Sequence, residues 1–296
     1  MDFDSFLDQA WADHATHTET VAQGLVAEGP ALVQDESQVS ALAFLAQHVH
    51  GQHLGRWAEG IGLQQQLAAL PLVTAGSATA QALQRYTTVL RLAGGWAEMD
   101  PDLDASERTR LSAMTAATLC LHDSARAATL LQAAVAGAAA LPDADPAVRA
   151  LAAASNNLAG ALQEEPQLDG ARQQLMVQAA QQARAAWARA GTWLEVERAE
   201  YRLALCQARA GDIEAARVHA GACLALVQAQ PEPGAPALEH FFGWEARARV
   251  ERAAADDAGF EAALLQAEAW FARLDAADVP ACRASLHALR GPGPGR

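Results

Sequence analysis

The chain predicts an all-α fold, a row of antiparallel helical hairpins, on three observations. Half of its residues are apolar (51%) but only 5% are aromatic, and alanine, the residue of best helix propensity, dominates. Apolar residues recur at helical spacing along nearly every long segment, whereas β-branched residues are sparse and never alternate as a half-buried strand requires. The breaks are regular. Turns at His122, about Pro166, Gly211 and Ala258 lie 44 to 47 residues apart, and a fixed period means stacked supersecondary units.

In order along the chain, Phe3, Leu7, Ala10, His14, Val21 and Leu25 share one face of a first helix that ends near Gly29 and Pro30. Ser37 to His50 carries a stripe of Val39, Leu42, Leu45, Ala46 and Val49. Gly55 to Gly60 reads as an elbow and the first turn of the next helix, and Ser77 to Leu92 as another. The segment 94–104, with Pro101 among acids, is a loop. Glu107 to Leu121 and Ser124 to Leu141 form a hairpin, and Pro146 suits the first turn of the helix after it. Ala147 to Gln163 pairs with about Gln167 to Ala190, and Ala237 to about Asp275 forms the last hairpin. There Gly259 to Leu264 repeats the elbow pattern of Gly211 to Arg217. Val279 to Leu289 closes the helical part, and GPGPGR is expected to be disordered. These breaks give boundaries of 1–104 for an N-terminal helical region, 105–290 for regular repeats with a capping helix, and 291–296 for the tail.

Thr192 to Gln230 is the clearest unit. Val196, Ala199, Leu203, Cys206 and Ala210 mark one helix face, and Ile213, Ala216, Ala220, Cys223, Leu224 and Val227 another. Between them Gly211 can take the left-handed turn and Asp212 can cap the second helix, so the two helices fold back on each other. Leu203-Ala204, Gly211-Asp212 and Ala216 resemble the spacing of a tetratricopeptide repeat, and Ser155 to Ala159 resembles its kinesin-light-chain style. The match is degenerate: Glu200 stands at the usual Trp position and Gln207 at the mid-helix aromatic. The resemblance implies an α-solenoid of about 13 helices, right-handed, with a concave wall.

A net charge of −14 argues against nucleic acid or an anionic membrane as the main partner, since both need a basic footprint. Lysine is absent altogether, which with the alanine content is the composition of a GC-rich, bacterial genome. Cys120, Cys206, Cys223 and Cys282 lie far apart within apolar helical patterns and read as small packing residues. With no basic-then-apolar leader and no long apolar run, a reducing cytoplasm is the default. No P-loop, G-x-G-x-x-G, G-x-S-x-G or H-E-x-x-H occurs, so the expectation is a non-enzymatic protein with no cofactor.

His14, His17, His48, His50 and His53 crowd the first 53 residues. On an α-helix His48 and His50 point about 200° apart, and Gly51 is expected to end the helix before His53, which leaves no metal site. Trp244, in HFFGWEARAR, reads either as amphipathic packing or as part of a recognition patch. In the register that the resemblance implies, the groove-facing residues are Asn156 and Asn157, then Arg198, Tyr201 and Arg202, then Arg249 and Arg252. Asn can grip a peptide backbone with donor and acceptor, and Arg can fork onto a carboxylate. The expected function is therefore a scaffold or adaptor that binds a protein or peptide, with an acidic segment as the suited ligand. The alternative is a regulatory sensor that binds a small molecule or metal through the His-rich N-terminal third.

Overall fold

In the computed structural model, described for residues 1–231 and 234–291, every regular element is a helix. The chain forms two compact units, Met1–Leu141 and Pro142–Arg296. Among the described residues there are fifteen α-helices rather than about thirteen, and the surplus arises at the N-terminus. The single helix expected over 3–25 is instead α1 (Phe3–Asp13) and α2 (Thr18–Ala27), followed by the short α3 (Gly29–Leu32). At the break His14 Nδ1 donates to the Trp11 carbonyl at 2.6 Å, and Thr18 Oγ1 donates to the His14 carbonyl at 2.7 Å.

The first unit continues with α4 (Glu36–Ala46), which runs directly into a π-helical segment, Gln47–His53. Gly55, at φ +62°, makes the elbow expected there. After it come α5 (Trp57–Ala68), α6 (Ala78–Ala93), α7 (Ala105–Leu119) and α8 (Ser124–Ala139). Phe3, Phe6, Leu25, Val39, Leu42, Leu45, Leu67 and Leu83 interlock as one core from α1, α2, α4, α5 and α6. The 94–104 loop lies within this unit, and Arg85 of α6 pairs with Glu107 of α7 at 2.8 Å.

The second unit holds α9 (Pro146–Glu164), α10 (Gly170–Ala190), α11 (Trp193–Ala210) and α12 (Ile213–Gln228). It ends with α13 (Ala237–Ala253), α14 (Asp257–Phe271) and α15 (Val279–Arg290). Consecutive helices pack on one another, and α11 also touches α9 and α13. Small residues permit the close approach: Ala204, Ala216, Ala220 and Val250 form a buried cluster across α11, α12 and α13. Gly211 takes φ +85°, and Asp212 accepts the Ala215 N–H at the start of α12. The matching turn before α14 is not at Gly259. It is Ala255, at φ +54°, with Asp256 accepting the Gly259 N–H. All four cysteines are buried. No described helix is long and apolar enough to cross a membrane. Residues 292–296 of the expected tail lie outside the described residues.

Candidate functional site

The groove residues named from the sequence divide into two sets. Asn156 of α9, Arg198, Tyr201 and Arg202 of α11, and Glu239 and Phe242 of α13 line an open pocket of about 260 Å³, with Glu197. Three helices supply this wall because α11 lies between α9 and α13. Asn157 is exposed and does not line the pocket. Arg249 and Arg252 are outside it as well. Arg249 is bound to the fully buried Glu245 on its own helix. Arg252 donates to the carbonyls of Ala288 and Leu289 at the end of α15 and lies over the Phe260 ring. Both arginines have structural work inside the unit, since a buried carboxylate and helix-end carbonyls need donors.

The pocket's own arginines are also engaged. Arg198 donates to Glu239 at 2.6 Å, and Arg202 to Gln163 at 2.7 Å. Tyr201 Oη donates to Glu245 at 2.9 Å. Asn156 differs, because its side-chain amide has no hydrogen-bond partner among the described residues. Glu197 forms the floor at 1% exposure, with Cys223 Sγ donating to its Oε1 at 2.8 Å and its Oε2 unpartnered. Burial, with Glu239 close by, pushes its carboxyl up to about 7.

Sequence reasoning missed this carboxylate system. Glu197, Glu200, Glu239, Glu245 and Glu251 are all buried in the second unit. Glu200 takes Arg184 of α10 at 2.7 Å and His219 of α12 at 2.7 Å. Glu251 takes Arg217 of α12 at 2.6 Å and Arg247 at 2.6 Å. For Glu197 and Glu200 the available signal was their i, i+3 spacing on the buried face of α11 with Leu203 and Ala204. Glu239, Glu245 and Glu251, six apart, point about 120° from one another around α13, which is buried on several sides. Trp244 packs among Leu264, Phe241 and Ala248, so the packing reading holds for it.

In the first unit the histidines also divide. His50 is fully buried and turned into the core, and His17 is exposed beside Asp13. His14, His48 and His53 come together, with one ring nitrogen of each within 4.8 Å of the others. The expectation that Gly51 ends the helix before His53 fails. The backbone goes on in π register, with the Leu54 N–H donating to the Val49 carbonyl at 3.1 Å. An i→i+5 register sets residues five apart on one face, so His48 and His53 meet with their Nε2 atoms 3.1 Å apart. Gly51 lets the segment lie against α6 and α7, for a Cβ there would come within 2.9 Å of Leu90 and 3.0 Å of Thr118. No family model, curated protein or solved structure matches this chain.

Proposed function

We propose that the second unit is a non-enzymatic docking module that binds an extended segment of a protein or peptide. The observation that carries this reading is the pocket shared by Asn156, Arg198, Tyr201, Arg202 and Phe242 on three neighbouring helices. The resemblance to tetratricopeptide repeats supports it, as does the left-handed elbow at Gly211, since in such repeats the first helices of successive hairpins line a groove. Asn156 supplies the backbone grip, with donor and acceptor both available. Phe242 supplies an apolar wall, and Arg198, whose side chain is 58% exposed, keeps N–H groups to offer an acidic side chain beside its bond to Glu239.

Selection of a random peptide library on the full chain tests this. The expected result is an enriched motif with an acidic position that binds in the micromolar range. Asn156→Ala is the informative variant, because it removes a contact to the ligand and no hydrogen bond within the protein. It should weaken the selected peptide about tenfold, the loss of roughly one hydrogen bond of 1–1.5 kcal/mol. No enriched motif, or one whose binding ignores Asn156→Ala, would remove the basis of the reading.

A further inference from the structure

The geometry points to a second site that the docking reading leaves untouched: we infer that His14, His48 and His53 hold a divalent first-row transition-metal ion, zinc being the natural probe. The cluster belongs to the first unit and the pocket to the second, so either reading can fail without the other.

Three observations carry it. The first is distance. Two imidazole nitrogens bound to one tetrahedral zinc at 2.0–2.1 Å stand roughly 3.3 Å apart. The Nε2 atoms of His48 and His53 are already at 3.1 Å, and the third ring nitrogen lies within 4.8 Å of both.

The second is the direction of the lone pairs. A carbonyl oxygen only accepts, so His14 carries its proton on Nδ1, which donates to Trp11, and its Nε2 is bare. Gln52 turns its amide nitrogen to Cys120 Sγ at 3.7 Å, leaving its Oε1 to accept from His48 Nδ1 at 2.7 Å. His48 Nε2 is therefore bare as well, and accepts the Nε2–H of His53. Metal binding moves that last proton to His53 Nδ1, the other neutral tautomer. Ligating histidines are oriented in this way, by a hydrogen bond from the nitrogen that does not touch the ion.

The third is support. The π segment is fastened at both ends, to α7 by Gln47 Nε2 on Thr118 Oγ1 at 2.7 Å and to the turn after α7 by His122 Nε2 on the Gln52 carbonyl at 2.9 Å. Trp11 packs against His14 and His48, with ring centroids at 5.2 and 5.6 Å. A π turn inside an α-helix recurs at functional sites because it re-aims side chains.

Three imidazoles without carboxylate or thiolate select zinc, copper or nickel over magnesium or calcium. The ligand set leaves a coordination position for water or a substrate, the arrangement of three-ligand zinc sites that keep one place open.

The experiment is calorimetric titration of the metal-stripped full chain with zinc chloride at pH 7.5. One equivalent should bind with micromolar or tighter affinity and raise the melting temperature. His48→Gln and His14→Gln should each weaken binding at least tenfold, while His17→Gln, outside the cluster, should bind like the parent. Cobalt supplies a second readout that does not depend on heats: it should give the visible absorption of a low-symmetry Co²⁺ centre and quench fluorescence in the parent but much less in Trp11→Phe. Should His48→Gln fail to fold, the half-buried His14→Gln and the cobalt spectrum decide. Absence of heat at 100 µM zinc, or full binding retained by the triple His14, His48, His53→Gln variant, would overturn the assignment.

Discussion

A glutamate in a core position is the residue-scale feature that most shapes the second unit. Glu200, Glu245 and Glu251 are buried and each meets an arginine or histidine, so the charge is compensated where it sits. Glu197 is not compensated in this way, and burial raises its carboxyl to about 7. The folded state therefore binds its proton more tightly than the unfolded chain, where the ordinary value is 4.5. Stability is unaffected below pH 4.5, falls as pH rises from 4.5 to 7, and levels off above. Glu197→Gln keeps an acceptor for Cys223 and carries no charge. It should melt close to the parent at pH 4.5 and above it at pH 8, by up to roughly 3 kcal/mol. A difference in melting temperature independent of pH would refute the buried ionised carboxylate. The sequence hides these acids, because glutamate is seldom fully buried and the arginines that reach them from other helices, Arg184, Arg217 and Arg198, are 16, 34 and 41 residues away.

At the scale of elements, the aspartate caps are more regular along the chain than the glycines that read as elbows in the sequence. The second helices α8, α10, α12 and α14 all begin at an aspartate cap, Asp123, Asp169, Asp212 and Asp256. Gly211 and Ala255 precede two of these caps in the same left-handed conformation, which costs an L-residue about 1–2 kcal/mol and glycine nothing. Ala255→Gly should therefore stabilise the protein by about 1 kcal/mol, net of the entropy glycine adds to the unfolded chain. In thermal melts that is a rise of about 2–4 °C, and a lower melting temperature would show that the turn relaxes out of the left-handed region. Gly259 reads as an elbow in the sequence because glycine is the usual elbow residue, yet here it donates its N–H to the Asp256 cap, where a Cβ would come within 2.7 Å of Asp256 Oδ2. The π segment was not legible either. His48 and His53 are five apart, a spacing that puts residues on different faces of an α-helix and on one face only in π register.

Across the whole molecule, each unit has its own apolar clusters. One contains Phe3, Leu42, Leu45 and Leu83, and another Phe241, Ala267, Cys282 and Leu286. Fragments 1–141 and 142–291, expressed separately, should each give a helical circular-dichroism spectrum and a cooperative melt, as domains with their own cores do. A fragment that melts without cooperativity would show that its core is incomplete by itself. The sequence alone determined that the chain is helical, where most helices start and stop, and that Gly211 and Asp212 turn a hairpin. Those features come from propensity, apolar period and capping, which act within a few residues of each other. Only the tertiary structure decided which polar side chains are buried and which histidines meet. Arg198 and Glu239 are 41 residues apart, and His14 caps α1 whereas His48 lies in the π segment. Their chemistry comes from distances between helices, and packing sets those distances.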